Sequence, residues 1–216
     1  EDNCTCTLDQ PNAIYAYQWM ADLALEHGVN MKPGDTDTPA NELFETGKVA
    51  MFMAGNTVRA RFEKIEAFDW DVAMTPQGPN GGRGSPGWYG GMVIGCKIPV
   101  PDEAWNFMKH QHSFEVQVTY TRLHSYFPIL IEAANDPSWM APPPEHPDVW
   151  LRMTEYAAPD PFTPKWPEVR TILVRDLPLI LDGSKKASEV FPALKAELDP
   201  LLAEGCEMWQ NARPRG

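Results

Sequence analysis

Phe44-Glu45-Thr46-Gly47-Lys48-Val49-Ala50-Met51-Phe52-Met53-Ala54-Gly55 is the stretch on which the reading of this chain turns. A helix begun at Thr38-Pro39 runs through Leu43 and Phe44 and is stopped by Gly47. Residues 49–54 then form an unbroken apolar run bounded by Gly47 and Gly55, the pattern of a strand buried on both faces. Upstream, Asp9, Gln10 and Pro11 supply capping and first-turn chemistry for an earlier helix. Its apolar positions Ile14, Tyr17, Ala21, Ala24 and Leu25 recur at helical spacing, and Gly28 ends it. Helix, helix, buried strand is the grammar of an α/β fold.

Downstream, 70–74 and 91–98 read as further strands, separated by a loop dense in Gly and Pro at 75–87. Asp102 heads a helix through Ala104, Trp105, Phe107 and Met108, and another is expected over 113–123. Residues 136–147 are proline-studded and read as a packed, extended surface segment. Helices are expected around 149–156, over 167–181 with a kink at Pro178, and over 188–202, with Gly183 separating the last two. Three strands are few for six or seven helices, as expected of a piece whose other strands lie elsewhere.

Composition narrows the function classes. The chain has 216 residues, 18 basic and 30 acidic, for a formal net charge of −12. Nucleic acid and anionic membrane surfaces call for basic faces and are not expected partners. With 43% hydrophobic and 22% charged residues the chain reads as globular, and no apolar stretch reaches the roughly 18 residues a membrane span needs. Residue 1 is Glu and no signal-peptide pattern follows it, so a processed product or a piece of a longer chain is expected. Cys4, Cys6, Cys96 and Cys206 match no metal-binding spacing. A bridge from the Cys4/Cys6 region to Cys206, and free thiols throughout, stand as alternatives.

No catalytic motif is present: no Gly-x-Ser-x-Gly, His-Glu-x-x-His, phosphate-binding loop or Gly-x-Gly-x-x-Gly between strand and helix. The glycine-rich 78–84 lacks the Lys-Ser/Thr and following helix of a phosphate cradle and reads as a surface loop. His110, His112 and His27 read as helix-end residues, Asp69 and Asp71 as solvent-facing, and Asp35 and Asp37 as loop residues without the Asp-x-Asp-x-Asp-Gly pattern of a calcium site, so neither cofactor nor metal is expected. The aromatic residues carry more information. Trp88 and Tyr89 stand between the Gly/Pro loop and Gly90-Gly91, and Trp166 between Pro164 and Pro167 at a helix start. Element edges are where ligands of open α/β sheets bind, and a flat ring packs well on the C–H face of a sugar; core packing is the competing reading for each. Trp19, Trp105, Trp150 and Trp209 fall in helices and read as packing residues.

The order of the motifs resembles that of extracellular solute-binding proteins of the ABC-importer type, the relatives of maltose-binding protein. The resemblance rests on Leu8-Asp9-Gln10-Pro11-Asn12-Ala13 before the first helix, the 44–55 stretch, Phe68-Asp69-Trp70-Asp71-Val72-Ala73-Met74-Thr75-Pro76 and Gly90-Gly91-Met92-Val93-Ile94. It continues through Glu103-Ala104-Trp105-Asn106-Phe107-Met108-Lys109, Phe127-Pro128-Ile129, Trp166-Pro167-Glu168-Val169-Arg170 and Leu181-Asp182-Gly183.

The resemblance implies a type II periplasmic-binding-protein-like α/β fold, of which this chain is the C-terminal half. Residues 1–89 would then belong to the second lobe, 90–135 to a hinge strand and first-lobe return segment, and 136–216 to the second lobe's C-terminal helices. The family's Gly-x-Trp after the buried strand appears here as Gly55-Asn56-Thr57, so one stacking ring is lost. Asn56, Thr57 and Arg59 become candidate polar contacts, with a helix cap at Asn56 or Thr57 and a solvated Arg59 as the alternative. Trp166 falls at a tryptophan that stacks on ligand in the relatives, and Trp88, Tyr89 and Gly90 where the cleft meets the hinge.

The implied function is non-enzymatic capture of a small molecule, foremost a sugar, for delivery to ABC permease subunits. The expected location is periplasmic or extracellular, with a lipid anchor carried by a missing N-terminus as one form. Two alternatives come from other classes. A glycan-acting hydrolase would need carboxylates about 5–10 Å apart near the aromatics. An interaction fragment would have its sheet completed by another chain.

Overall fold

The computed structural model describes residues 4–87, 90–123, 127–159 and 162–212. Its α-helices in chain order are α1 (Pro11–Leu25), α2 (Ala40–Glu45), α3 (Arg59–Phe62), α4 (Pro101–Gln111), α5 (Phe114–Arg122), α6 (Ile131–Ala134), α7 (Asp148–Met153), α8 (Trp166–Asp176), α9 (Pro178–Leu181) and α10 (Ala187–Gln210). They belong to two compact units, a terminal unit of Glu1–Asp37 with Pro161–Gly216 and a central unit of Thr38–Asp160.

The terminal unit is built on α10. Val190, Phe191, Leu194, Leu198 and Leu202 recur every three or four residues and form one buried stripe. Against it pack Ala21 of α1, Val169 and Ile172 of α8, and Ile180 of α9. Tyr17 meets Phe191 edge-on at 5.0 Å. The kink expected at Pro178 is a break, α8 ending at Asp176 and α9 starting at the proline, which has no N–H to continue the ladder.

The helix expected to end near 202 continues to Gln210, although Pro200 lies inside it. An interior proline costs about 3 kcal/mol, and the stripe extending beyond it through Leu202 to the buried Gly205 offsets that cost. At Gly205 a side chain has no room, because a Cβ there would sit 2.2 Å from Thr163 Oγ1.

The N-terminal segment is laid along the same helix. Cys6 N–H donates to Asp199 Oδ1 at 2.7 Å, and Lys195 Nζ donates to the Cys6 carbonyl at 2.6 Å. Between the two cysteine alternatives the structure decides for a bridge: Cys4 is bonded to Cys206 with their Cα atoms 5.7 Å apart, while Cys6 is a buried thiol and Cys96 an exposed one.

In the central unit the expected strands at 49–54, 70–74 and 91–98 do not form among the described residues. A strand exists only through its ladder, and no neighbour pairs with these segments there. The run 49–54 is packed on one side and not on both: Phe52 is half-buried against Phe44 and Phe62, while Met51 and Met53 are 89% and 77% exposed. Trp70 likewise turns to the aromatic cluster, its Nε1–H donating to the Phe62 carbonyl at 2.9 Å. The parallel ladder that does form, Ser85–Pro86 against Ala157–Ala158, is too short for sequence pattern to announce.

What organises this unit is a buried cation. Arg59, at 0% exposure, donates through Nε to Glu63 Oε1 (3.1 Å) and to the Pro143 carbonyl (3.2 Å), through Nη1 to the Trp139 carbonyl (2.6 Å), and through Nη2 to the Ala141 carbonyl. Its guanidinium carbon lies 5.4 Å from the Trp139 ring centre and 5.8 Å from that of Trp150, within cation–π range. Burial pulls the guanidinium below its ordinary value, and Glu63 opposes that pull. The proline-studded segment is packed as expected, through Trp139, Pro144 and Pro147, and this arginine holds it.

Two outcomes follow. Arg59→Met strands the carbonyls of 139–143 and should lower stability by about 3–5 kcal/mol, seen as a reduced urea midpoint, with Arg59→Lys falling between because it lacks the planar fork. Cys206→Ser, or reduction of the wild type, should lower stability by about 2–5 kcal/mol in the same assay. A midpoint unmoved by reduction would refute the bridge.

Candidate functional site

The polar candidates stand at one turn of the central unit. Gly55, in extended conformation (φ −77°, ψ 173°), leads into a 3-10 helix, Asn56–Val58, which passes directly into α3. The expected alternative, a side-chain cap from Asn56 or Thr57, is not realised; the turn closes through Val58 N–H to the Gly55 carbonyl at 3.4 Å. Asn56 is half-buried, and its Nδ2 is enclosed without an acceptor among the described residues. A buried donor left unmet costs about 1–3 kcal/mol, and this amide is closed off from solvent. Thr57 is exposed and offers a hydroxyl beside it.

Arg59 differs from both of its sequence readings. It is not solvated, and it presents no surface to a ligand, because its guanidinium is enclosed by Trp139, Trp150 and the carbonyls of 139–143. Its structural role is to hold the turn that carries Asn56 and Thr57. No local spacing could have announced this, since its partners lie some 80 residues away in sequence.

Gly90 is exposed, with open space around the position a Cβ would take. Trp88 and Tyr89 lie outside the described residues. Trp166 is the first residue of α8 in the terminal unit, its N–H bonded to the Thr163 carbonyl at 3.1 Å. Its ring is half-buried, one part packed on the unit's apolar core and the rest open. The neighbouring carboxylates Glu168 and Glu204 are paired with Lys165, at 3.9 and 2.6 Å. The hydrogen bond it donates to Glu204 holds the Lys165 ammonium above its ordinary value.

The candidates thus divide, with Asn56, Thr57 and Gly90 in the central unit and Trp166 in the terminal unit. Three tryptophans read as packing residues are helical but stand open: Trp19, Trp105 and Trp209 are 46%, 53% and 70% exposed. Trp150 does pack, on Trp139 and Arg59. Among the described residues no helix is long and apolar enough to cross a membrane.

Comparison with solved structures assigns the fold. The chain superposes on maltose-bound T. maritima MalE3 (TM-score 0.77, 23% identity, 91% of this chain and 52% of that one). It superposes on an ABC substrate-binding protein of Listeria monocytogenes in complex with cycloalternan (TM-score 0.75, 15% identity, 91% and 50%). It also matches the maltose-maltodextrin binding protein of Alicyclobacillus acidocaldarius (TM-score 0.73, 22% identity, 87% and 50%). The fold is therefore the helix-rich α/β type II periplasmic-binding-protein fold in part, and the chain spans about half the length of each structure it matches. The family model for bacterial extracellular solute-binding proteins matches residues 5–113, half of the chain, a span that includes the 44–55 stretch and α4. The chain belongs to the bacterial extracellular solute-binding protein family.

Proposed function

We propose that this chain is part of the substrate-binding component of an ABC importer, which captures a sugar between two lobes and delivers it to membrane permease subunits. The observation that carries the reading is the family match, joined to three structural neighbours whose described ligands or names are saccharides: cycloalternan, maltose and maltose-maltodextrin. The function is binding without catalysis, outside the cytoplasmic membrane.

In this reading residues 1–89 and 136–216 belong to the second lobe, and 90–135 supply the hinge strand and the return into the first. Trp166 stacks on a sugar ring with the open part of its face, while Trp88, Tyr89 and Gly90 line the cleft near the hinge. Asn56 and Thr57 take the place of a stacking ring with an amide and a hydroxyl, groups that pair with sugar hydroxyls. Arg59 supports them from beneath. Closure of the lobes on the ligand generates the form that the permease recognises.

The test is made on the longest natural polypeptide that carries these 216 residues. Maltose and longer maltodextrins should raise its melting temperature and shift its tryptophan fluorescence. Trp166→Ala should weaken the affinity by about tenfold, the size of one aromatic contact of roughly 1.4 kcal/mol, with circular dichroism unchanged. A protein silent to a sugar panel and responsive to charged solutes would overturn the ligand class. Release of shortened sugars during incubation would overturn binding without catalysis.

A further inference from the structure

Asp71 and His146 come from parts of the central unit 75 residues apart in sequence, yet they share two bonds. The His146 backbone N–H donates to Asp71 Oδ1 at 3.0 Å, and the ring Nδ1 bonds Asp71 Oδ2. Glu145 completes a group of three whose ligating atoms all lie within 4.8 Å of one another, each side chain exposed. Asp148 adds a further negative charge close to His146.

We propose that Asp71, Glu145 and His146 form a binding site for a divalent transition-metal cation of the zinc class. Donors on a tetrahedral zinc stand about 3.4 Å apart, given metal–ligand bonds of about 2.0–2.2 Å. The three groups reach that spacing by small side-chain rotations, for which their exposure leaves room. One imidazole and two carboxylates are a borderline ligand set that suits zinc, whereas calcium and magnesium favour all-oxygen shells of about six or more ligands. Three protein ligands leave the fourth position to water.

Two features set the group apart from an ordinary surface cluster of acids. It contains an imidazole, the ligand that discriminates among cations, and tertiary structure brings Asp71 to the adjacent pair Glu145-His146 from 75 residues away. A bound cation would tie the segment around Asp71 to the proline-rich segment ending at Pro147, which Arg59 holds at the carbonyls of Trp139, Ala141 and Pro143.

The experiment is a competition titration of zinc against a chromophoric chelator. It uses the tag-free chain with Cys96→Ser, so that the exposed thiol does not contribute. One equivalent of zinc should bind and raise the melting temperature, while calcium and magnesium at the same concentration should leave it unchanged. Glu145→Gln and His146→Ala should each weaken zinc binding by about tenfold or more, since even residues that only support a ligand are worth about 10–100-fold. Glu145→Gln leaves the Asp71–His146 bonds in place, so it separates the metal site from a simple ion pair. No saturable zinc binding, equal affinity in the parent and both variants, or equal protection by calcium would overturn the proposal.

Discussion

A guanidinium withdrawn from water has to be surrounded by acceptors, and the central unit is arranged around this need at Arg59. The acceptors come chiefly from a segment in which three successive residues lack a backbone donor. Pro142, Pro143 and Pro144 have no N–H, so the run cannot continue a helix or ladder beyond Ala141, and the carbonyls of Trp139, Ala141 and Pro143 take their partner from Arg59. Arg59 supplies three such partners from one planar group. The short helix α3 works on two sides at once, Arg59 reaching the proline segment while Phe62 fills the cluster of Phe44, Phe52, Phe68 and Trp70. Four residues of helix have no stability by themselves, and these two anchorages give the turn before them a fixed place.

Helices were legible in the sequence because their signals are local. Pro11 at a first turn, the Ile14-Tyr17-Ala21 spacing and the stripe from Val190 onward are contained within the elements they describe. The end of α10 escaped because its continuation past 202 is fixed by packing rather than by a local signal, Gly205 lying against Thr163. Strands failed for the opposite reason. An apolar run such as 49–54 records a capacity to pair, and pairing depends on a neighbour that the run does not encode. Arg59 was read as a ligand contact or a solvated side chain, since a charged residue after a polar turn reads that way until its partners 80 and more residues away are known. The meeting of Asp71 with His146 was illegible for the same reason.

At the level of family, motif order succeeded where single motifs were weak. None of the short segments would have been decisive in isolation, but their succession agrees with a family match over residues 5–113 and with three structures of one fold at 15–23% identity. Sequence identity that low leaves side chains free to change, and the 55–57 turn of this chain carries an amide and a hydroxyl, the amide with an unmet donor among the described residues. Recognition built on hydrogen-bond donors is more demanding of ligand geometry than stacking, because a mismatched partner leaves a buried polar group unpaired.

The terminal unit is assembled from segments far apart in sequence: α1 packs against α9 and α10, and 202 residues separate the two bridged cysteines. Cys4 has two other thiols in this chain to choose from, Cys6 two positions away and the exposed Cys96, and neither closes the ring that staples α10. The selectivity of the bridge therefore lies in the folded terminal unit, where the laying of Cys6 against Asp199 and Lys195 buries one competitor.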